Sequence, residues 1–314
     1  MNSTQYDLTE ANNRFTFDVY KKLGGEEKGN LFFSPFSILA AFAMMIEGAQ
    51  GKTAEEIQNV FHFPKDTALL RSTFSTLYAE LNKKKAKYKL HMANALWVQQ
   101  GLKLLKTYQD RVRKFYGGEA KEVHFGDGAK AAKIINTWIE GKTNHKILNF
   151  FKPEDFTNLT QLVLTNAIYF KGLWLTPFDK KETKEEEFRM SPNKAMKVSM
   201  MRLEEKELKF LYAETEAVQI LEVPYQGEDL SMLILLPKKE NLSAIEKELT
   251  LDTFNRWRGL LRFESVFIYL PTFTFKKRYE LNESLIKMGM PTAFTPRADF
   301  SRIFGKPEIF ISSV

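Results

Sequence analysis

Apolar residues recur at helical spacing over 8–23, with Phe15, Val19 and Leu23 on one stripe, and this predicts an amphipathic helix ended by Gly24-Gly25. The stretch 38–48 is apolar on every side, so its helix belongs inside the protein. Ser34 suits the cap of that helix, Pro35 its first position and Gly48 its end. Thr53-Ala54-Glu55-Glu56 has the spacing of a capping box, followed by Ile57, Val60 and Phe61 on a buried face. A further helix is predicted over 67–81.

The period then changes to two. Between Tyr88 and Val98, Tyr88, Leu90, Met92, Asn94, Leu96 and Val98 fall on one face and Ala93, Ala95 and Trp97 on the other, the pattern of a long strand. Helices are predicted over 103–116 and 129–147, the second carrying Ile134, Ile135, Trp138 and Ile139, with a short strand over 120–125 between them. Residues 162–175 are apolar on both faces and partly β-branched, which predicts a central strand interrupted by one polar residue, Asn166. A meander of shorter strands follows over 188–190, 196–202, 209–211, 218–224 and 231–236, with Gln226-Gly227-Glu228-Asp229 as a hairpin turn. Helices over 243–249 and 251–261, a strand over 263–275 bent at Pro271, a helix over 282–288 and a strand beginning at Ile309-Phe310-Ile311 complete the pattern. No repeat and no Pro-, Gly- or Ser-rich linker interrupts it, so a single domain is expected over 1–314.

Composition narrows the function classes. At 314 residues and 44% hydrophobic, the chain has the apolar fraction of a soluble globular protein. Its 46 basic and 39 acidic residues are mixed along the sequence, which argues against a dedicated nucleic-acid binder despite the net charge of +7. No apolar run reaches the ~20 residues of a spanning helix, and the polar start at 1–10 carries no signal-peptide core. Without cysteine, thiol catalysis and thiolate metal sites are excluded. Neither Gly-x-Ser-x-Gly nor His-Glu-x-x-His occurs, and His62, His91, His124 and His145 stand in unrelated contexts. Gly51-Lys52-Thr53 and Gly141-Lys142-Thr143 mimic the end of a phosphate-binding loop, but Ile46 and Asn136 occupy the positions of its earlier glycine. No enzyme, metal or cofactor is expected.

Six stretches, in order, resemble the serpins: 30–51 with Thr53, 93–98, 135–146, 165–178, 223–237 and 270–288. His145 departs from the pattern, standing where members usually have Gly in Thr-x-Gly-x-Ile. The resemblance implies an α+β fold with about nine helices around a large mixed sheet A and two smaller antiparallel sheets. It implies a monomeric inhibitor of serine proteases, with cysteine proteases as a secondary target class, in an extracellular setting or, since the sequence shows no signal peptide, alternatively a cytoplasmic one. Such an inhibitor acts once, as a suicide substrate, by inserting its cleaved reactive loop as a new central strand between the strand of 162–175 and the one beginning at Ile309. A full-length member continues past Val314 into the hinge, the reactive loop and the last core strands, so the sequence is expected to be truncated, with the scissile bond outside it. A truncated chain is expected to be poorly stable and not inhibitory.

The resemblance places Ser34, Ser37 and Asn166 in the shutter, a hydrogen-bonded cluster beneath the point where sheet A opens, and Trp174 in the breach, where the loop first enters. The plainer alternatives are helix capping by Ser34, a satisfied buried amide at Asn166 and a core aromatic at Trp174. Lys83, Lys84, Lys85, Lys87 and Lys89 lie near the end of a helix that binds heparin in some members; a solvated charge run is the favoured reading. His91 and Asn94 are read as structural. A different class of function, a non-inhibitory carrier, chaperone or store on the same fold, stays open, because small residues in the hinge would mark an inhibitor and the hinge lies outside the sequence.

Overall fold

The structure, a computed structural model, describes residues 7–26, 29–83, 87–191, 193–238, 242–274, 276–306 and 309–314. Helix α1 (Leu8–Glu26) runs through the two glycines expected to end it. Each glycine costs a helix about 1 kcal/mol, but the stripe Leu8, Ala11, Phe15, Val19 and Leu23 is buried, and Glu26 in the last turn accepts a hydrogen bond from the Ser284 hydroxyl at 2.8 Å. In α2 (Pro35–Met45), Ser34 is the N-cap and its Oγ accepts from the Ser37 N–H. That helix ends before Gly48, whose backbone lies so close to Ile303 that an added Cβ would stand 2.2 Å from its Cγ1. Helix α3 (Gly51–Val60) starts ahead of Thr53, so the expected capping box is not one. Thr53 Oγ1 instead accepts the Asp299 N–H at 2.9 Å, and Glu56 accepts the N–H and hydroxyl of Thr292.

After α4 (Thr67–Leu81), the strand β1 (Lys89–Gln99), helix α5 (Lys106–Tyr116), strand β2 (Gly118–Val123), helix α6 (Gly128–Lys142) and strand β3 (Leu162–Lys171) follow. Gly117, at φ 62°, closes α5 in the left-handed conformation. Helix α6 is shorter than expected. Asn144 and His145 turn left-handed at φ 50° and 58°, and the His145 N–H reaches the Glu140 carbonyl, so His145 adopts the backbone conformation a glycine would. The three strands form a sheet ordered β2-β1-β3, with β1 parallel to β2. The central strand is therefore β1, and 162–175, expected in the middle, supplies an edge strand among the described residues. Its apolar residues on both faces are explained by helices α2, α4 and α5 packed on one side and α6 on the other.

Two compact units divide the chain, one within 1–84, 90–170 and 278–314 and one within 85–89 and 171–277. In the second, β4 (Lys184–Ser191), β5 (Lys194–Leu203), β6 (Lys209–Glu214), β7 (Val218–Pro224) and β8 (Ser231–Pro237) are followed by α7 (Leu242–Glu248), α8 (Leu251–Leu260), β9 (Arg262–Ser265) and β10 (Ile268–Pro271). The expected meander is two antiparallel sheets, β10-β5-β4 and β8-β7-β6-β9. The single strand expected over 263–275 is split: β9 joins one sheet and β10 the other, while Phe275 lies outside the described residues. Gly227 at φ 99° and Glu228 at φ 58° form the predicted hairpin turn. Val218, Ile220, Ile245 and Trp257 pack strands on helices α7 and α8.

The first unit is completed by α9 (Asn282–Met288) and α10 (Ser301–Phe304). Ile309-Phe310-Ile311 forms no strand among the described residues. Ile311 donates to the Ala293 carbonyl, and Asn282 accepts the Val314 N–H while donating to the Ser312 carbonyl, so local side-chain and loop bonds hold the segment where a ladder was expected.

Candidate functional site

Alternation along β1 and β3 sorts their side chains onto two faces. Met92 and Leu96 of β1, with Leu162, Leu164 and Ile168 of β3, pack toward α2, α4 and α5; Ala95, Trp97, Val163 and Ala167 pack toward α6. On the α6 side Trp97 Nε1 donates to Thr165 Oγ1 at 3.0 Å, and the Trp97 and Trp138 rings meet edge to face. On the opposite face stand two asparagines. Asn94 Nδ2 donates to the Tyr116 carbonyl at 2.6 Å, and Asn166 Nδ2 donates to Asn94 Oδ1 at 2.8 Å. The remaining amide oxygen, Asn166 Oδ1, is buried with no hydrogen-bond partner among the described residues.

Sequence reasoning singled out Asn166 and read Asn94 as structural, but it did not join the two and passed over Tyr116, whose carbonyl holds Asn94. The signal was present: Asn94 is a polar residue in a strand buried on both faces, as Asn166 is, and such an amide needs partners. The two serines form their own pair, with the Ser37 hydroxyl donating to Ser34 Oγ at 3.0 Å, and no hydrogen bond among the described residues joins them to Asn166. Trp174, in the second unit, stacks on Tyr225 at 4.5 Å between ring centroids and 10° between planes, bridges to it as an isolated β-pair and meets Phe178 edge to face. Of the lysine run, Lys83 pairs with Glu80, Lys87 and Lys89 are exposed, and Lys84 and Lys85 lie outside the described residues.

One charged cluster is deeply buried. Glu47, two residues past the end of α2, has a side chain with no exposed surface and accepts two hydrogen bonds from Arg71 of α4, each 2.8 Å, and one of 2.8 Å from the Tyr116 hydroxyl. Arg111 stands 3.6 Å away. Burial, and then the Glu47 carboxylate, push the phenols of Tyr116 and Tyr108 well above their usual range, while the bond to Glu47 raises the Arg71 guanidinium. Tyr116 is thus a hydroxyl donor at any physiological pH. No group of three or more His, Cys, Asp or Glu placed to hold a metal ion occurs among the described residues, and no helix there is long and apolar enough to cross a membrane.

Comparison with known proteins gives one answer. The family model "Serpin (serine protease inhibitor)" matches residues 10–314. An uncharacterized serpin-like protein of Methanosarcina acetivorans is 38% identical over 309 residues, spanning 97% of this chain and 72% of its own length. Human leukocyte elastase inhibitor is 37% identical over 317 residues, spanning 98% of this chain and 83% of its own. Among solved structures, emu ovalbumin superposes with a TM-score of 0.94 at 28% identity, covering 98% of this chain and 84% of that one.

Proposed function

The chain belongs to the serpin family, and from that premise we propose that the protein is an inhibitor of serine proteases that acts once, as a suicide substrate, by taking a loop of its own chain into the three-stranded sheet beside β3. The observation that carries this reading is the flank of β3. Among the described residues β3 pairs with β1 alone, and half of its ten residues are intermediate in burial, whereas β1 is completely buried from Asn94 to Val98. An edge strand presents a row of N–H and C=O groups to any extended segment laid beside it. Over the ten residues of β3, an added strand would gain about ten ladder bonds at ~1 kcal/mol net each, offset by the entropy of ordering the loop.

Asn166 adds to the support, because its unpartnered buried oxygen is an acceptor awaiting a donor at this strand. We assign Asn166, with the Ser34–Ser37 pair that caps α2, to the region where the sheet parts, and Trp174 to the loop's point of entry. The extracellular setting, the monomeric state and the one-domain organisation belong to the same proposal.

The test uses the protein expressed from its full open reading frame, incubated with trypsin-, subtilisin- and elastase-like serine proteases and a papain-like cysteine protease. An SDS-stable adduct of the summed mass with at least one serine protease is the expected result. Simple cleavage or no reaction across the panel overturns the proposal and favours a carrier or storage role. In the same protein, Asn166→Ala should speed heat-induced polymerisation; an unchanged rate counts against its assignment to the opening region.

A further inference from the structure

A buried carboxylate is an expensive way to fill space, since a well-packed apolar side chain is often as stabilising or more so. What Glu47 supplies instead is direction. Its two oxygens are engaged by Arg71, which also donates to Thr67 Oγ1 at 2.9 Å, and Oε1 receives the Tyr116 hydroxyl. The Tyr116 ring is held against Phe74 at 4.9 Å. Helix α4 thereby clamps the side chain of the last residue of α5 at both the ring and the hydroxyl.

That last residue matters because of where its main chain points. The final carbonyls of a helix have no partner within it, and the Tyr116 carbonyl is taken by Asn94 Nδ2 on the central strand. With its NH2 group so engaged, Asn94 presents Oδ1 to Asn166 Nδ2 on β3. From Arg71 to Asn166 the contacts are continuous, every member lies in the first unit, and both Glu47 and Asn94 are about 1% exposed.

We infer that Glu47 is a positioning residue for the edge strand: through Tyr116 and Asn94 it fixes the side chain of Asn166 and so sets how readily β3 separates from β1. Helices α4 and α5 are then coupled to the flank of the sheet, and a ligand or substitution that shifts Arg71 alters the opening of the strand without touching it. This rests on the proposed function only for its consequence, that the strand held in this way is the one whose outer flank receives the loop; the coupling itself is a property of the folded chain.

The experiment therefore needs no protease. Hydrogen exchange of the amides in 162–171 is measured in the wild type, in Tyr116→Phe, in Asn166→Ala and in the double variant. Tyr116→Phe removes the hydroxyl and leaves the carbonyl in place, so it tests the clamp without deleting the bond to Asn94. Exchange in β3 should rise about threefold, the factor made by ~0.65 kcal/mol, while β2 and α3 keep their wild-type rates; in the Asn166→Ala background the same substitution should have little further effect. Glu47→Gln, which keeps the shape of the side chain, should reproduce the local pattern. A rise spread evenly over the first unit, or one of equal size with and without Asn166, overturns the inference. Neither outcome bears on adduct formation, so failure here and failure of the inhibitory reading are told apart.

Discussion

The strands β1 and β3 are neighbours of similar length and similar apolar content, each with one asparagine on the same face, yet they are in different physical situations. β1 has a ladder partner on both sides, burial is complete from Asn94 to Val98, and both polar ends of Asn94 are engaged. β3 has one partner among the described residues, its burial alternates between intermediate and complete from Leu164 to Tyr169 and ends exposed at Phe170 and Lys171, and Asn166 leaves an oxygen unbonded. One strand is the floor of the core and the other is a margin. The lesson is that apolar character on both faces reports what covers a strand from above and below, and carries no information about its two edges.

The largest expected difference is in packing. Leu96 is buried to 1% exposure and Leu164 only partly. Leu96→Ala should cost ~3 kcal/mol and Leu164→Ala about half that, as read by urea unfolding; equal costs would erase the contrast. Next come the asparagines. Asn94→Ala strands both the Tyr116 carbonyl and Asn166 Nδ2 and should cost about 2 kcal/mol, whereas Asn166→Ala frees only Asn94 Oδ1 and removes an oxygen already unbonded, for a loss under ~1 kcal/mol. Unfolding midpoints in the reverse order would break the account of the two sites.

The smallest effect serves as a control on the contrast. The Ser284 hydroxyl first, and then Lys22 and Lys287, hold the Glu26 carboxyl at about 2, down from the ordinary 4.5. A carboxyl whose folded pKa is depressed contributes its stability above the unfolded value and loses it as the pH falls through the folded one. Between pH 4.5 and about 2, then, the wild type should lose its advantage over Glu26→Gln in denaturation midpoint, while the ratio of β1 to β3 exchange rates stays the same in both. A ratio that follows the Glu26 titration would mean the edge is governed from α1 as well.

Much of the fold was legible because periodicity and punctuation agreed. Ser34-Pro35 marked the start of α2, the helix predicted over 103–116 ends at Tyr116 as α5 does, and alternation over 88–98 gave both faces of β1 correctly. Misreadings arose where tertiary contacts override local signals. Thr53 and Glu56 have capping-box spacing but spend their hydrogen bonds on Asp299 and Thr292. Gly24 and Gly25 stay helical because Glu26 is tied to Ser284 and Lys287. The stretch 263–275 alternates throughout, yet pairing with β6 and with β5 divides it between two sheets. At the site, Asn166 was legible as a lone polar residue in an apolar run, while its dependence on Tyr116 was not, because the bond is to a main-chain carbonyl 22 residues from Asn94 that no spacing predicts.

The central claim is that the flank of β3 accepts a further strand. The direct measurement is hydrogen exchange of the first unit before and after incubation with a synthetic ten-residue peptide of alternating Thr and Ala, matched to the length of β3. Slowed exchange confined to the outward-facing amides of 162–171, with β2 unchanged, is the predicted result; peptide binding that leaves those amides at their original rates, or no binding at all, would contradict it.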